Sequence, residues 1–263
     1  MNSQLALVTG ASSGIGLELG LQFADNGFDL IVNAEDAAIE AAAVEFRDRG
    51  AEVTVVQEDL RDAAGVQALY EAIRGVGRPL DAAALNAGVG KGGAFIDTPL
   101  GDLHEIVAVN VSSTMHLARL LLADMVSRGE GRLLFTSSIA SELPGSYSAV
   151  YNASKAFVQS LAEALQAELE DTEVTITSLM PGPTETNFFH RADMDDTLLG
   201  ESKKDDPAKV AKAGFEALMA GERRVVAASF KTKAEEAAAK VLPARAKAKL
   251  HEKQAKPRDA GKS

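Results

Sequence analysis

The chain has 263 residues, a net charge of −11 and no Cys. A chain of this length buries roughly 70–75% of the surface its unfolded form exposes, so it needs no disulfide or metal staple, and without Cys it has no thiolate ligand or Cys nucleophile. The charge is uneven: residues 231–263 hold ten Lys/Arg against four Asp/Glu, while residues 1–230 carry −17. An acidic body argues against nucleic acid as the main partner.

The N-terminal MNSQLALVTG lacks the basic start and long apolar run of a signal peptide. No stretch reads as the ~20 apolar residues of a membrane span. The expectation is a cytoplasmic protein with no membrane partner.

In chain order, strands are predicted at 5–9, 28–33, 52–59, 81–85, 132–138, 174–180 and 223–229. Helices are predicted at 14–26, 36–49, 62–74, 100–128, 149–170 and 207–220. The first helix places Ile15, Leu19 and Phe23 at helical spacing. The Ala-rich second helix stops at Gly50. Such alternation predicts an α/β fold, a parallel sheet with helices on both faces. The strands are continuous apolar runs, as expected when both faces are covered. One domain is predicted over 1–230. Residues 231–263 form a basic Ala/Lys-rich extension, expected to be helical with a break at Pro243 and a disordered last ten residues. That extension reads either as a solvated helix or as a binder of an acidic surface, such as a neighbouring subunit.

The first strand runs into Thr9-Gly10-Ala11-Ser12-Ser13-Gly14-Ile15-Gly16, which opens a helix. A phosphate-binding glycine loop needs that context. Glycines turn tightly and let a pyrophosphate approach, and the helix start favours negative charge. A tight turn without a ligand reads equally well from this loop alone. Ligands of open parallel sheets sit beyond the carboxyl ends of the strands, where Glu35, Asp59-Leu60, Asn86-Ala87-Gly88 and Pro181-Gly182 fall. Glu35 lies about 20 residues past the loop, where an acid binds a ribose 2′-hydroxyl and repels a 2′-phosphate. No Arg or Lys occurs in the loop or in residues 33–39, which favours NAD over NADP. Glu35 also reads as a solvated loop residue. Asp59 reads either as an acceptor for an adenine amino group or as the cap of the helix starting near Asp62.

Tyr151 and Lys155 are four apart and share a helix face. A free Tyr, with a pKa of about 10, matches neutral pH poorly. An ammonium about 4 Å away supplies about 4 kcal/mol at an effective dielectric near 20, or about three pKa units. Tyr151 is therefore expected near neutrality. Ser138, at the end of the fifth strand, would hydrogen-bond the substrate oxygen. Alone, Tyr-x-x-x-Lys is a weak motif. Joined to the glycine loop, Asn86-Ala87-Gly88 and Ser138 in one strand order, it resembles the short-chain dehydrogenase/reductase family over about residues 4–230.

The resemblance rests further on Asn110, Ser137-Ser138, Tyr151-Asn152-Ala153-Ser154-Lys155 and Pro181-Gly182-Pro183-Thr184-Glu185-Thr186. It implies a three-layer Rossmann fold with a seven-stranded sheet. It also implies an NAD(P)-dependent interconversion of a secondary alcohol and a carbonyl. Tyr151 would be the general acid/base, Lys155 would hold the nicotinamide ribose and depress the Tyr151 pKa, and Ser138 would position the substrate. Asn110 would anchor a water in a proton relay, and Thr184 and Thr186 would contact the cofactor. A homodimer or homotetramer built on the long helices is implied too. The chain departs from the family at Leu85, where many members have Asn, and in its longer tail. Two alternatives stand beside this reading: a 3-oxoacyl-thioester reductase, and a non-catalytic dinucleotide-binding regulator.

The four His residues lack metal-ligand spacing, and Asp193, Asp195 and Asp196 read as a solvated loop, so no metal is expected. Residues 187–206, with Phe188, Phe189, His190 and Met194, read as a mobile lid or as a packed surface loop. Leu143, Pro144 and Tyr147 line the opposite wall in this reading, which suggests a partly apolar substrate.

Overall fold

The computed structural model describes residues 3–228 and 243–257. Seven strands, β1 (Gln4–Thr9), β2 (Phe28–Ala34), β3 (Val53–Gln57), β4 (Ala82–Leu85), β5 (Gly131–Thr136), β6 (Val174–Pro181) and β7 (Arg224–Ala227), form one sheet. Its order is β3-β2-β1-β4-β5-β6-β7, and every pair is parallel. Strand order reverses between β1 and β4, and it is there that the ligand crevice of an open α/β sheet lies.

Side chains alternate across the pleat. Ala6, Val8, Leu30 and Val32 face one layer, made by α1 (Gly14–Asp25), α2 (Ala38–Arg47) and α9 (Pro207–Ala220). Leu5, Leu7, Ile31 and Phe135 face the other, made by α3 (Ala63–Gly75), α5 (Thr114–Arg128) and α6 (Ala149–Glu168). With both faces covered, each strand must be apolar throughout, the pattern seen in the sequence. Phe23, Phe28 and Phe215 meet edge to face, at 5.2 Å and 5.1 Å between centroids for the two pairs that Phe23 makes, and lock α1 to α9.

The predicted helix at 100–128 is continuous but not uniform. α4 (Leu100–Ile106) passes through a π-helical segment, Val107–Ser113, before α5. Contrary to expectation, Leu100–Arg128 is long and apolar enough to cross a membrane by length and composition, with half of its most apolar window buried in the fold. The buried half is core: Leu117, Leu121, Leu122 and Met125 pack against the sheet. The third strand ends at Gln57 and the fifth at Thr136, two residues earlier than predicted in each case. Beyond β6 come α7 (Phe188–Arg191) and α8 (Leu198–Glu201).

A tail helix follows at Ala244–Ala255. Its Ala255 is fully buried against Phe189, Ala192 and Met194 and His251 is buried as well, so one face of this largely exposed helix is packed, and Ala255 is not part of a disordered end. The other tail residues, 231–242 and 258–263, and the end of the predicted seventh strand lie outside the described residues.

Candidate active site

A cavity of about 400 Å³ runs across the carboxyl ends of the strands, from the Gly10–Ile15 turn and Glu35 at one end to Ser138, Tyr151 and the segment after β6 at the other. The turn after β1 uses Gly10 at φ +66, a left-handed conformation that L side chains rarely adopt. Ser13 begins α1 without capping it by its side chain, and Ser12, Ser13, Gly14 and Ile15 line the cavity. Gly16 has a different task. A Cβ there would stand 2.0 Å from the Gly10 carbonyl oxygen and 2.6 Å from Asn86 Nδ2. Gly16 lets the helix close on the strand ends and does not itself line the cavity.

Asn86 ties three strand ends together. Its backbone N–H donates to Thr9 Oγ1 at 3.0 Å, its Nδ2 to Thr9 O at 3.2 Å, and its Oδ1 accepts from Thr136 Oγ1 at 3.1 Å. Ala87 N–H donates to the same Thr9 hydroxyl at 3.0 Å. Ala87 and Gly88 line the cavity, as do Pro181, Gly182, Thr184 and Thr186 beyond β6. Thr184 is buried and donates to Gly182 O at 2.9 Å. The Thr186 methyl group packs on Gly14.

At the far end, Glu35, Asp59 and Leu60 all line the cavity. Asp59 does not cap α3, whose first turn follows Asp62. Its carboxylate accepts from Arg61 N at 2.9 Å and Arg61 Nε at 2.8 Å, and that guanidinium holds it below the usual carboxylate range. Glu35 meets a cation that the local sequence does not show. Arg191 Nη2, from α7, donates to Glu35 Oε1 at 2.6 Å and lines the same cavity. Residues 33–39 carry no sign of it, because Arg191 is 156 positions away in sequence.

The four expected catalytic residues converge. The π-helical segment carries Asn110, which is 1% exposed. Asn110 Oδ1 accepts from Val89 N at 2.9 Å, and Nδ2 donates to Val89 O and to Ser154 Oγ, both at 2.9 Å. Both side-chain donors are spent on protein atoms, so the amide braces the strand-end loop against α6. Lys155 is buried and donates to Thr136 O at 2.8 Å. Ser138 is not the end of a strand. It lies past β5 and caps the 3-10 turn Ile139–Glu142, its Oγ accepting from Ala140 N at 3.1 Å.

The expected depression of Tyr151 is not what this arrangement produces. Burial pushes the phenol up to about 12, and a hydrogen bond from Ser138 offsets only part of that. The Lys155 ammonium is turned to the Thr136 carbonyl and stands 6.0 Å from the Tyr151 ring centroid. Burial pushes Lys155 down to about 8. Desolvation, which spacing along the helix does not reveal, sets the direction of both shifts.

The remaining walls come from the segment after β6, from the tail and from Leu143; of the residues expected opposite the lid, Pro144 and Tyr147 do not line the cavity. Phe188 packs on Tyr151 at 5.2 Å between centroids. Gly92 N–H donates to Ala192 O at 2.7 Å, and Lys91 bridges Asp193 and Asp102. Asp195 pairs with His190 at 2.7 Å. Of the three loop carboxylates Asp193 is thus held in an ion pair and Asp195 in a hydrogen bond with His190, and among the described residues no His/Cys/Asp/Glu cluster could hold a metal. His251 and Gln254 of the tail helix also line the cavity; no motif in the sequence pointed to them.

A sequence model described as short chain dehydrogenase matches residues 4–197. The chain belongs to the short-chain dehydrogenase family, a family of oxidoreductases. It is 30% identical over 213 residues to the oxidoreductase UcpA of Salmonella typhimurium, covering 80% of this chain and 78% of that one. It is 33% identical over 186 residues to the probable oxidoreductase EphD of Mycobacterium tuberculosis, covering 70% of this chain but 31% of that relative, so it spans about a third of that protein's length.

Two solved structures share the fold. A short-chain dehydrogenase/reductase from Burkholderia phymatum in complex with NAD superposes with a TM-score of 0.82 at 26% identity, over 90% of this chain and 92% of that one. A short-chain dehydrogenase from Sphingobium yanoikuyae in complex with NADPH gives 0.79 at 26% identity, over 89% and 93%. This family member shares the seven-stranded Rossmann sheet that the resemblance implied.

Proposed function

We propose that this family member interconverts a secondary alcohol and a carbonyl with a nicotinamide dinucleotide. The observation that carries the reading is one cavity joining the glycine turn to Tyr151, Lys155 and Ser138. The residues fit a dinucleotide: a left-handed Gly10, a tight Gly16 and the open first turn of α1 together form a pyrophosphate cradle. Ser12, Ser13, Gly14 and Ile15 would hold the phosphates. Leu60, Asn86, Ala87 and Gly88 would flank the adenosine and the nicotinamide ribose. Thr184 and Thr186 would sit beside the nicotinamide. The bound nicotinamide supplies or accepts the hydride.

The chain's own residues handle the proton. In reduction the Tyr151 phenol donates its proton to the carbonyl oxygen, and in oxidation the phenolate takes it back from the alcohol. The Ser138 hydroxyl hydrogen-bonds that same oxygen and holds it against Tyr151. Lys155 stabilises the phenolate once its ammonium leaves the Thr136 carbonyl. Asn110 keeps Val89 and Ser154 in register, so that α6 presents Tyr151 and Lys155 to the cavity.

NAD is the favoured cofactor because Glu35 opposes a 2′-phosphate, but Arg191 beside it weakens the preference. The test is a panel of carbonyls and alcohols run with NAD(H) and NADP(H) in parallel. Turnover with NAD(H) ahead of NADP(H) supports the reading. No turnover of any member, or a strong NADP preference, contradicts the corresponding part. We also propose that Val107, Met115 and Val126, exposed on the α4–α5 run, are covered by a second copy.

A further inference from the structure

We propose that the tail helix completes the substrate pocket, and that His251 selects substrates carrying a hydroxyl away from the reacting carbon. This rests on the reading that the cavity takes an alcohol or a carbonyl. The helix is rich in Lys and Ala, yet two of its residues are buried: His251 at 5% exposure and Ala255 at 0%. Ala255 packs into the apolar group formed by Phe189, Ala192 and Met194 of the segment after β6. Ser146 grips the helix from the other side. Its Oγ donates to Ala248 O at 3.0 Å, and its carbonyl oxygen lies 2.9 Å from His251 Nδ1. The neighbouring Tyr147 takes φ +62, a conformation rare for a side chain of its size, and its ring meets Lys256 Nζ at 5.9 Å. Helix, loop and the segment after β6 therefore hold one another beside the cavity.

The Ser146 contact assigns the imidazole. A carbonyl only accepts, so Nδ1 carries the proton and Nε2 is a bare acceptor. Burial lowers the ring's pKa, which keeps it neutral. Nε2 makes no hydrogen bond among the described residues, while the ring lines the cavity together with Gln254, three positions along the same helix. A neutral acceptor does not attract a carboxylate or phosphate. It does reward a hydroxyl, and a substrate that covers it without donating leaves a buried acceptor unpaired.

The probes are linear hydroxyketones with the hydroxyl two to five carbons from the carbonyl, each with its deoxy parent. They are titrated into the full chain saturated with NADH, with binding read from NADH fluorescence and turnover followed separately from NADH absorbance. At least one hydroxyketone is expected to bind about 10-fold or more tightly than its parent. His251→Phe should bring the pair to within about 2-fold, with NADH affinity unchanged, whereas His251→Gln, which keeps an acceptor near Nε2, should retain the preference. Should His251→Phe not fold, the wild-type pairs and the Gln variant decide. No hydroxyketone outbinding its parent, a preference that persists in His251→Phe, or one absent from His251→Gln overturns the proposal. Tight hydroxyketone binding without turnover would contradict the alcohol–carbonyl chemistry and leave this inference standing. Turnover blind to the hydroxyl would do the reverse.

Discussion

Lys155 is a buried ammonium that, among the described residues, hydrogen-bonds through Nζ to the Thr136 backbone carbonyl alone, and its titration has a consequence for stability. Its folded value, about 8, lies below the ordinary 10.5. The unfolded chain therefore binds more protons between those values, and stability rises with pH across that window. Tyr151, raised to about 12, acts oppositely but only above its ordinary 10. Urea unfolding of the protein without added cofactor should show a gain of about 2 kcal/mol between pH 7.5 and 10, and Lys155→Met should abolish that gain. An unchanged slope in Lys155→Met would mean that the ammonium is not desolvated. That Tyr151, Lys155, Ser138 and Asn110 come close together was legible in the sequence through their order along the strands, but their electrostatics were not. Spacing gives a shared helix face and says nothing of burial. At Glu35 the local sequence misled, because the opposing Arg191 comes from a distant segment. Arg191→Ala should raise the NAD-to-NADP ratio of kcat/KM and Glu35→Ala should lower it, as steady-state kinetics with both cofactors will show; equal ratios in both variants would remove this pair from cofactor choice.

At the scale of elements, the close approach of α1 to the strand ends depends on Gly16, since a Cβ there would meet backbone at 2.0 Å. Gly16→Ala should cost about 1–3 kcal/mol from overpacking and weaken NADH binding, measured by unfolding and by fluorescence titration. The Phe23–Phe28–Phe215 cluster carries the packing of α1 on α9. Phe215→Ala should cost about 3–5 kcal/mol while sparing NADH affinity, because the cluster lies in the layer and not at the strand ends. Strand and helix order was readable because a doubly covered sheet demands continuous apolar runs. Element ends were not. The polar residues at 58–59 and 137–138 continue the strand pattern in sequence, yet in the fold they turn out to line the crevice. The π-helical segment around Asn110 left no mark either, since VAVNVSS reads as ordinary helix.

At the scale of the whole molecule, the tail helix packs on the segment after β6 and brings His251 and Gln254 to the cavity. Composition alone read it as a solvated helix or as a binder of an acidic surface, because Lys and Ala dominate and its buried residues are few. The exposed Val107, Met115 and Val126 lie on the other long helix. Met115→Glu should reduce the mass measured by sedimentation to that of one chain, and an unchanged assembly would place the contact elsewhere. The central claim is that one cavity binds the dinucleotide and that Tyr151 moves the proton. Tyr151→Phe tests it most directly, with NADH affinity and turnover of an active carbonyl measured side by side. The account predicts NADH affinity within about 2-fold of wild type and turnover reduced about 10²–10⁴-fold, the usual weight of a positioned acid/base. Turnover retained with the phenol gone would contradict it.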